Sequence, residues 1–202
     1  RSGGRLDAVG TPEAPIVFTS LPDDSAGGDT NADGAGSLPA AGDWYGLAAR
    51  SAGILALNEH TDIRYTRANH TGSISSDETW NANTVHVLTG VVTLVDGATV
   101  TVAPGAIVKF ERDVELVVQT GCTLTARGTG AEPILFTSIR DDTVGGDTNR
   151  DGSLSAPAPG EWFRIHVYGG EAVLEHAWLR YGAGRDAVHG AQLHTSLATA
   201  RL

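Results

Sequence analysis

An all-β chain, wound as a parallel coil of short strands, is the fold class this sequence predicts. Three observations carry it. The first is a period of eight: Val92, Val100, Val108, Leu116 and Leu124 are apolar at that spacing. Leu94, Val102, Phe110, Val118 and Ala126 form a second such series two residues further on. The second is the alternation inside each unit, since an inward pair at i and i+2 belongs to a strand, whose side chains alternate between faces. The third is the punctuation, because Gly97, Gly105, Asp113 and Gly121 fall at turn positions between the units. No stretch combines a 3.6-residue period with helix caps.

A meander of hairpins shares this period and would use tight turns such as Asp96-Gly97. A three-sided coil of about 24 residues per turn suits the Thr, Val and Leu runs with open corners, and it accepts long insertions at one corner. Cys122 lies in the alternating segment and reads as a small core residue, alone and without a disulfide partner.

A long loop occurs twice, offset by 118 residues. The first copy contains Asp23-Asp24, then Asp29-Thr30-Asn31-Ala32-Asp33-Gly34, and closes at Asp43-Trp44. The second contains Asp141-Asp142, then Asp147-Thr148-Asn149-Arg150-Asp151-Gly152, and closes at Glu161-Trp162. The flanks repeat as well: Ile16-Val17-Phe18-Thr19-Ser20 returns as Ile134-Leu135-Phe136-Thr137-Ser138.

Asp-x-Asn-x-Asp-Gly sets three oxygen-bearing side chains at alternate positions before a sharp turn. Such a segment wraps a hard cation such as Ca²⁺, which takes about 6–8 oxygens. The spacing matches positions 1, 3, 5 and 6 of the helix-loop-helix calcium motif. It departs where that motif carries a bidentate Glu, because Ala40 and Ala158 stand there. The expected ligands are therefore Asp23, Asp24, Asp29, Asn31, Asp33 and Asp43 in one site. Asp141, Asp142, Asp147, Asn149, Asp151 and Glu161 form the other, each set completed by a carbonyl near Ala35 or Ser153. A solvated Asx turn is the simpler reading of such residues. Five carboxylates within about twenty residues repel unless neutralised, and the oxygen-bearing positions recur while those between them drift; both favour the metal.

In chain order, residues 5–20 form two short strands around a turn and correspond to 123–138. Trp44 and Trp162 either pack each loop onto the body or stack on a sugar. His60 and Arg64 match His176 and Arg180 as a repeated ladder along a strand face. Residues 67–83 are polar and read as an excursion or linker. The chain is expected to be a single domain, with repeat units at about 5–66 and 123–182. Coils over 84–122 join them, and 183–202 form a cap or tail. The first repeat begins mid-unit, as a fragment boundary or an edge meant for a neighbour would.

Composition narrows the function. The net charge is −10, and ten of the 24 acids lie in the two loops. Lys109 is the one lysine, so the basic patch that nucleic acid demands is not expected, and no nucleic-acid partner is expected. No apolar run is long enough to span a membrane as a helix. The chain has no Met, as expected of a processed product, and a cysteine-poor acidic chain with calcium loops suits an extracellular or cell-surface location.

The run Gly121-Cys122-Thr123-Leu124-Thr125-Ala126-Arg127-Gly128-Thr129, followed by Pro133-Ile134-Leu135-Phe136-Thr137-Ser138, resembles the repeating coil of secreted bacterial right-handed parallel β-helix proteins. Ala98 to Gly105 and Val108-Lys109-Phe110 resemble the preceding coil. The resemblance covers about residues 5–66 and 84–184. It implies a right-handed parallel β-helix, secretion, and in some relatives polysaccharide lyase or hydrolase activity. No catalytic residue of those relatives maps onto this chain. The expected function is a calcium-stabilised structural or adhesive module with no catalytic site, able to stack end to end on itself into a filament or surface layer. The alternative is a polysaccharide-binding or polysaccharide-degrading protein, with a surface glycan as partner and Arg64, Arg180 and the loop tryptophans nearby.

Overall fold

The computed structural model describes residues 4–40, 42–49, 52–82 and 84–183, and the backbone of 193–196 and 199–201. Its strands are β1 (Arg5–Ala8), β2 (Ile16–Phe18), β3 (Ile54–Leu57), β4 (Thr61–Ile63), β5 (Thr66–Ile74) and β6 (Glu78–Trp80). Then follow β7 (Thr84–Leu94), β8 (Thr99–Val102), β9 (Ile107–Phe110), β10 (Glu115–Gln119), β11 (Thr123–Arg127) and β12 (Ile134–Ser138). The last are β13 (Arg164–Tyr168), β14 (Glu171–Glu175), β15 (Ala177–Leu179), β16 (Leu193–Ser196) and β17 (Thr199–Arg201).

Among the described residues every pairing between strands is parallel, so the period of eight is that of a coil and not of a hairpin meander. One side stacks β6, β8, β11, β14 and β17. The other two sides share β5 and β7, long strands that turn a corner within themselves. The first part of β7 lies beside β9, and its last part lies beside β10. Val92 sits next to Leu116 and Val100 next to Leu124, each pair 24 residues apart in sequence. The chain is thus a parallel β-helix with three sides to a turn.

Both apolar series lie inside. All ten residues from Val92 to Ala126 are at most 1% exposed, and Cys122 joins them. Each fully buried Val, Leu or Phe side chain contributes about 1.5–3 kcal/mol. Asp113 stands in the left-handed region at φ 62°, as Gly97, Gly105 and Gly121 do at 78–80°, which is why small or Asx residues occupy the corners. Trp162 lies flat on Phe110, with ring centroids 4.2 Å apart.

The first repeat makes its own two ladders, β1 with β3 and β2 with β4. It meets the main stack through the Trp44–Thr66 bridge and through Arg67 N–H donating to the Trp44 carbonyl at 2.9 Å. The repeats share unusual backbone positions: Tyr65 and Tyr181 both have positive φ, at 55° and 60°. Residues 67–83 are not a linker. They contribute β5 and β6, which complete a turn of the coil. Their polarity hides the pattern, because β5 buries Thr66 and Ile74 at its ends and keeps polar side chains between them. The expected cap or tail at 183–202 lies largely outside the described residues; β16 and β17 continue the ladders of β13 and β14.

Gly128 and its counterpart Gly10 mark where two turns approach closely. A Cβ on Gly128 would lie 2.7 Å from the His176 carbonyl oxygen, and one on Gly10 would lie 2.4 Å from that of His60. Both obstacles are backbone, so neither yields cheaply. Gly128→Ala is expected to cost about 1–3 kcal/mol, read as a lower urea midpoint with an unchanged m-value.

Candidate metal centre

Both loops leave the coil at the same corner. The first follows β2 and returns at Trp44; the second follows β12 and returns at Trp162, just before β13. The return is anchored identically, since the indole N–H of Trp44 donates to the Arg64 carbonyl and that of Trp162 to the Arg180 carbonyl, both at 2.7 Å. Packing is therefore a role both tryptophans have.

The loops curl around their own first carboxylate. Asp29 accepts the backbone N–H of Asp33 at 3.1 Å and of Gly34 at 2.9 Å. Asp147 accepts those of Asp151 at 3.1 Å and Gly152 at 2.7 Å. Ala32 and Arg150 adopt left-handed φ of 58° and 60° to make this curl. Carboxylate oxygens of Asp24, Asp29 and Asp33 converge within 4.8 Å of one another, and so do those of Asp142, Asp147 and Asp151.

Several oxygens in these nests are occluded and accept no hydrogen bond: Oδ1 of Asp24 and Asn31 in the first, and Oδ1 of Asp142, Asn149 and Asp151 in the second. An occluded oxygen without a donor costs about 1–3 kcal/mol or more. Such atoms suit a cation. Burial, and then the neighbouring Asp29 and Asp33, raise the Asp24 carboxyl above its ordinary value. Asp142 is raised by burial and then by Asp147, with Lys109 opposing.

The remaining expected ligands lie elsewhere. Asp23 and Asp141 turn away and are buried with their oxygens already engaged. Thr19 and Ser25 hydroxyls donate to Asp23, while Thr137 and Thr143 hydroxyls donate to Asp141. These bonds hold the Asp23 carboxyl below its ordinary value. Asp23 and Asp141 brace the loop entrance, and the signal was present: each has Thr four residues before and Ser or Thr two after. Asp43 accepts the Ala40 N–H at 2.9 Å, and Glu161 pairs with Arg140 at 3.3 Å. Neither belongs to a group of three. The ladder arginines are occupied likewise, Arg64 by Asp62 at 2.6 Å and Arg180 over the Trp178 ring at 5.1 Å.

Sequence reasoning gave Lys109 no role in the loop. It is 0% exposed on the outer face of β9, covered by the second loop. Its Nζ donates to the carbonyls of Asp141 and Gly146, at 3.0 and 2.9 Å, and to the Thr148 hydroxyl at 2.7 Å. Burial pushes its pKa down to about 8, against the pull of Asp142, Asp141 and Asp147. A lone lysine inside an apolar strand was the available signal.

The two loops also touch. A Cβ on Gly146 would fall 2.6 Å from that of Ala40. Arg150 lies over the Tyr45 ring at 5.0 Å, and Arg67 donates to the Thr148 carbonyl at 2.7 Å. Beside the second nest opens a cleft of about 420 Å³, lined by Arg67, Arg112, Arg140, Glu111, Asn149 and Asp151 among others.

Residues 72–183, more than half of the chain, match the pectate-lyase-like β-helix domain, and the chain belongs to that family. The match takes in the second loop and leaves out the first. Neither the curated proteins nor the solved structures include a match to this chain.

Lys109→Met removes the charge and strands the Asp141 carbonyl, while Gly146 keeps the Thr148 hydroxyl. The expected result is a loss of about 2–4 kcal/mol, seen as a lower melting temperature, with protease cleavage appearing between residues 142 and 160.

Proposed function

We propose that this chain is a calcium-stiffened extracellular coil whose work is structural or adhesive. The observation that carries the reading is the pair of equivalent nests, each with three converging carboxylates and occluded oxygens that lack donors. Asp24, Asp29, Asn31 and Asp33 would hold one Ca²⁺, and Asp142, Asp147, Asn149 and Asp151 the other. Oxygen-only donors of this kind favour a hard cation over zinc or copper. An ion would supply neutralisation, fixing two long acidic loops against each other at one corner of the coil. Location at the cell surface follows from the calcium, which is abundant there. Parallel coils can add further turns at an end, so a second copy of this chain is the proposed partner in a filament or surface layer.

Extracellular modules have dissociation constants of about 10⁻⁴–10⁻³ M, so millimolar calcium stabilises by about 1 kcal/mol per site. EDTA should therefore lower the melting temperature and expose residues 23–43 and 141–161 to proteases. Asp33→Ala and Asp151→Ala should each remove one ion from the calorimetric stoichiometry while leaving the strand core intact. No heat of binding and no effect of EDTA would overturn the reading.

A second reading has its own observation, the cleft lined by Arg67, Arg112 and Arg140 together with Glu111, Asp151 and Glu161. Arg67 is held by the Thr148 carbonyl and Arg140 by Glu161, which leaves the Arg112 guanidinium, beside a bound cation, to take a carboxylate of an acidic polysaccharide. A polysaccharide-degrading role accords with the family, whose name refers to such an enzyme. Incubation with polygalacturonate and calcium separates the two. A structural module yields no unsaturated product and no saturable binding. A glycan protein yields one or the other, lost in Arg112→Ala with melting temperature unchanged.

A further inference from the structure

The end of the core that faces the first repeat is closed by a cluster with no part in the loops. His86 of β7 is 4% exposed, and its Nδ1 lies 3.0 Å from Nε2 of His70 on β5. Trp80 lies against both rings, with centroid distances of 4.5 Å to His70 and 5.3 Å to His86. Trp80 belongs to the apolar core, as do Ile74 and Leu88. In front of His86 lies the cleft between the first repeat and the main stack, lined also by Tyr45, Asp62, Arg67 and Asn81.

The proton positions follow from the partners. His86 Nε2 lies 3.2 Å from the Asn81 carbonyl, which can only accept, so this nitrogen carries the hydrogen. His86 Nδ1 is then the acceptor, and His70 Nε2–H donates to it. His70 Nδ1 is left bare, 3.9 Å from Glu78 Oε2, an oxygen that also accepts the Trp80 indole N–H at 3.1 Å. A proton on His86 Nδ1 would set two N–H groups against each other across 3.0 Å. The pair can therefore take one extra proton, on His70 toward Glu78, and cannot take a second while it stays closed. Glu78 is the only charged side chain against the rings among the described residues. Asp62 and Arg67 border the cleft beyond, and Asp62 is held by Arg64 at 2.6 Å.

We propose that His70 and His86 form an acid-operated latch on this end of the coil. While both rings are neutral they tie β5 to β7 and seal the core behind Trp80. Acid forces them apart and releases β5, and with it the first repeat, from the main stack. The position fits the role, because β5 reaches the stack's ladder through β7, and the β5–β7 register slips at His70/Gly72, so pairing there is already interrupted.

The direction of the pH effect is fixed by the burial. In the unfolded or open chain both histidines titrate near 6.5. In the closed protein burial, with the neighbouring His70, pushes His86 down to about 3, and burial lowers His70 also. The open form therefore binds more protons between those values. The latch contributes fully above about pH 6.5 and is lost as pH falls, with the open fraction rising about tenfold per pH unit for each proton withheld.

Hydrogen exchange by mass spectrometry, corrected for the intrinsic rate and run from pH 7.5 to 4.5 in millimolar calcium, tests this. Peptides covering 66–88 should lose about tenfold or more in protection per pH unit below pH 6, while 115–126 stays protected. In the His70→Gln, His86→Gln double variant, whose side chains hydrogen-bond but do not titrate here, protection of 66–88 should be flat. Equal pH slopes in the two proteins would overturn the latch. Should the variant not fold, NMR titration of the native histidines decides: a His86 ring signal silent until the 66–88 amides open supports it, and independent titration of both rings near 6.5 in the closed protein refutes it. Repeating the native series in EDTA shows that the slope belongs to the histidines and not to the loop carboxylates if it persists.

Discussion

Parallel pairing in strict register is the constraint on which the remaining structure depends. Each turn of the coil must bring its strand back beside the one before, with the same residues facing inward. A slip of one residue would turn every inward Val and Leu outward. Val92 beside Leu116 and Val100 beside Leu124 meet this requirement with 24-residue turns. Extra residues can then be accommodated only where no ladder runs, at a corner. Both acidic loops are inserted at one such corner, after β2 and after β12, and the strands on either side keep their register.

Once placed at that corner, the loops need internal order, because little secondary structure is available to them. Much of the order comes from buried polar groups used as fasteners. Asp23 and Asp141 gather hydroxyls at the entrance, the tryptophan indoles close the exit, and Lys109 holds three acceptors of the second loop from beneath. These contacts leave Asp24, Asp29 and Asp33, and their counterparts Asp142, Asp147 and Asp151, aimed at a common point. The division of labour is a consequence of burial. A deeply buried carboxylate must be satisfied by hydroxyl and amide donors, whereas those nearer the surface can face one another if a cation lies between them.

The two ends of the main stack differ. Toward β13 and β14 the ladders continue into β16 and β17. Toward the first repeat the pairing thins to the Trp44–Thr66 bridge and a few hydrogen bonds, and the core is closed by imidazoles and an indole instead of another aliphatic layer. The family match covers residues 72–183, and the first repeat lies before it.

The sequence by itself determined the coil and the nests. The two eight-residue series are local repeats, and every member is buried; Asp29, Asn31 and Asp33, with Asp147, Asn149 and Asp151, are close in space because they are close in sequence. What the tertiary structure alone decided is whatever depends on groups brought together from different turns. Thr19 and Ser25 already distinguish Asp23 from Asp24 locally, but the Arg64 guanidinium that comes within 3.6 Å of Asp23 is brought there from the following turn. β5 lacked an apolar pattern because its ring pair, His70 with His86, becomes an interior surface only when Thr66 is set beside Thr84. Lys109 is a stray charge in an apolar strand until a loop that starts 32 residues later folds over it and turns its carbonyls down. Local periodicity records which face of a strand is buried; it carries no record of what the burying group will be.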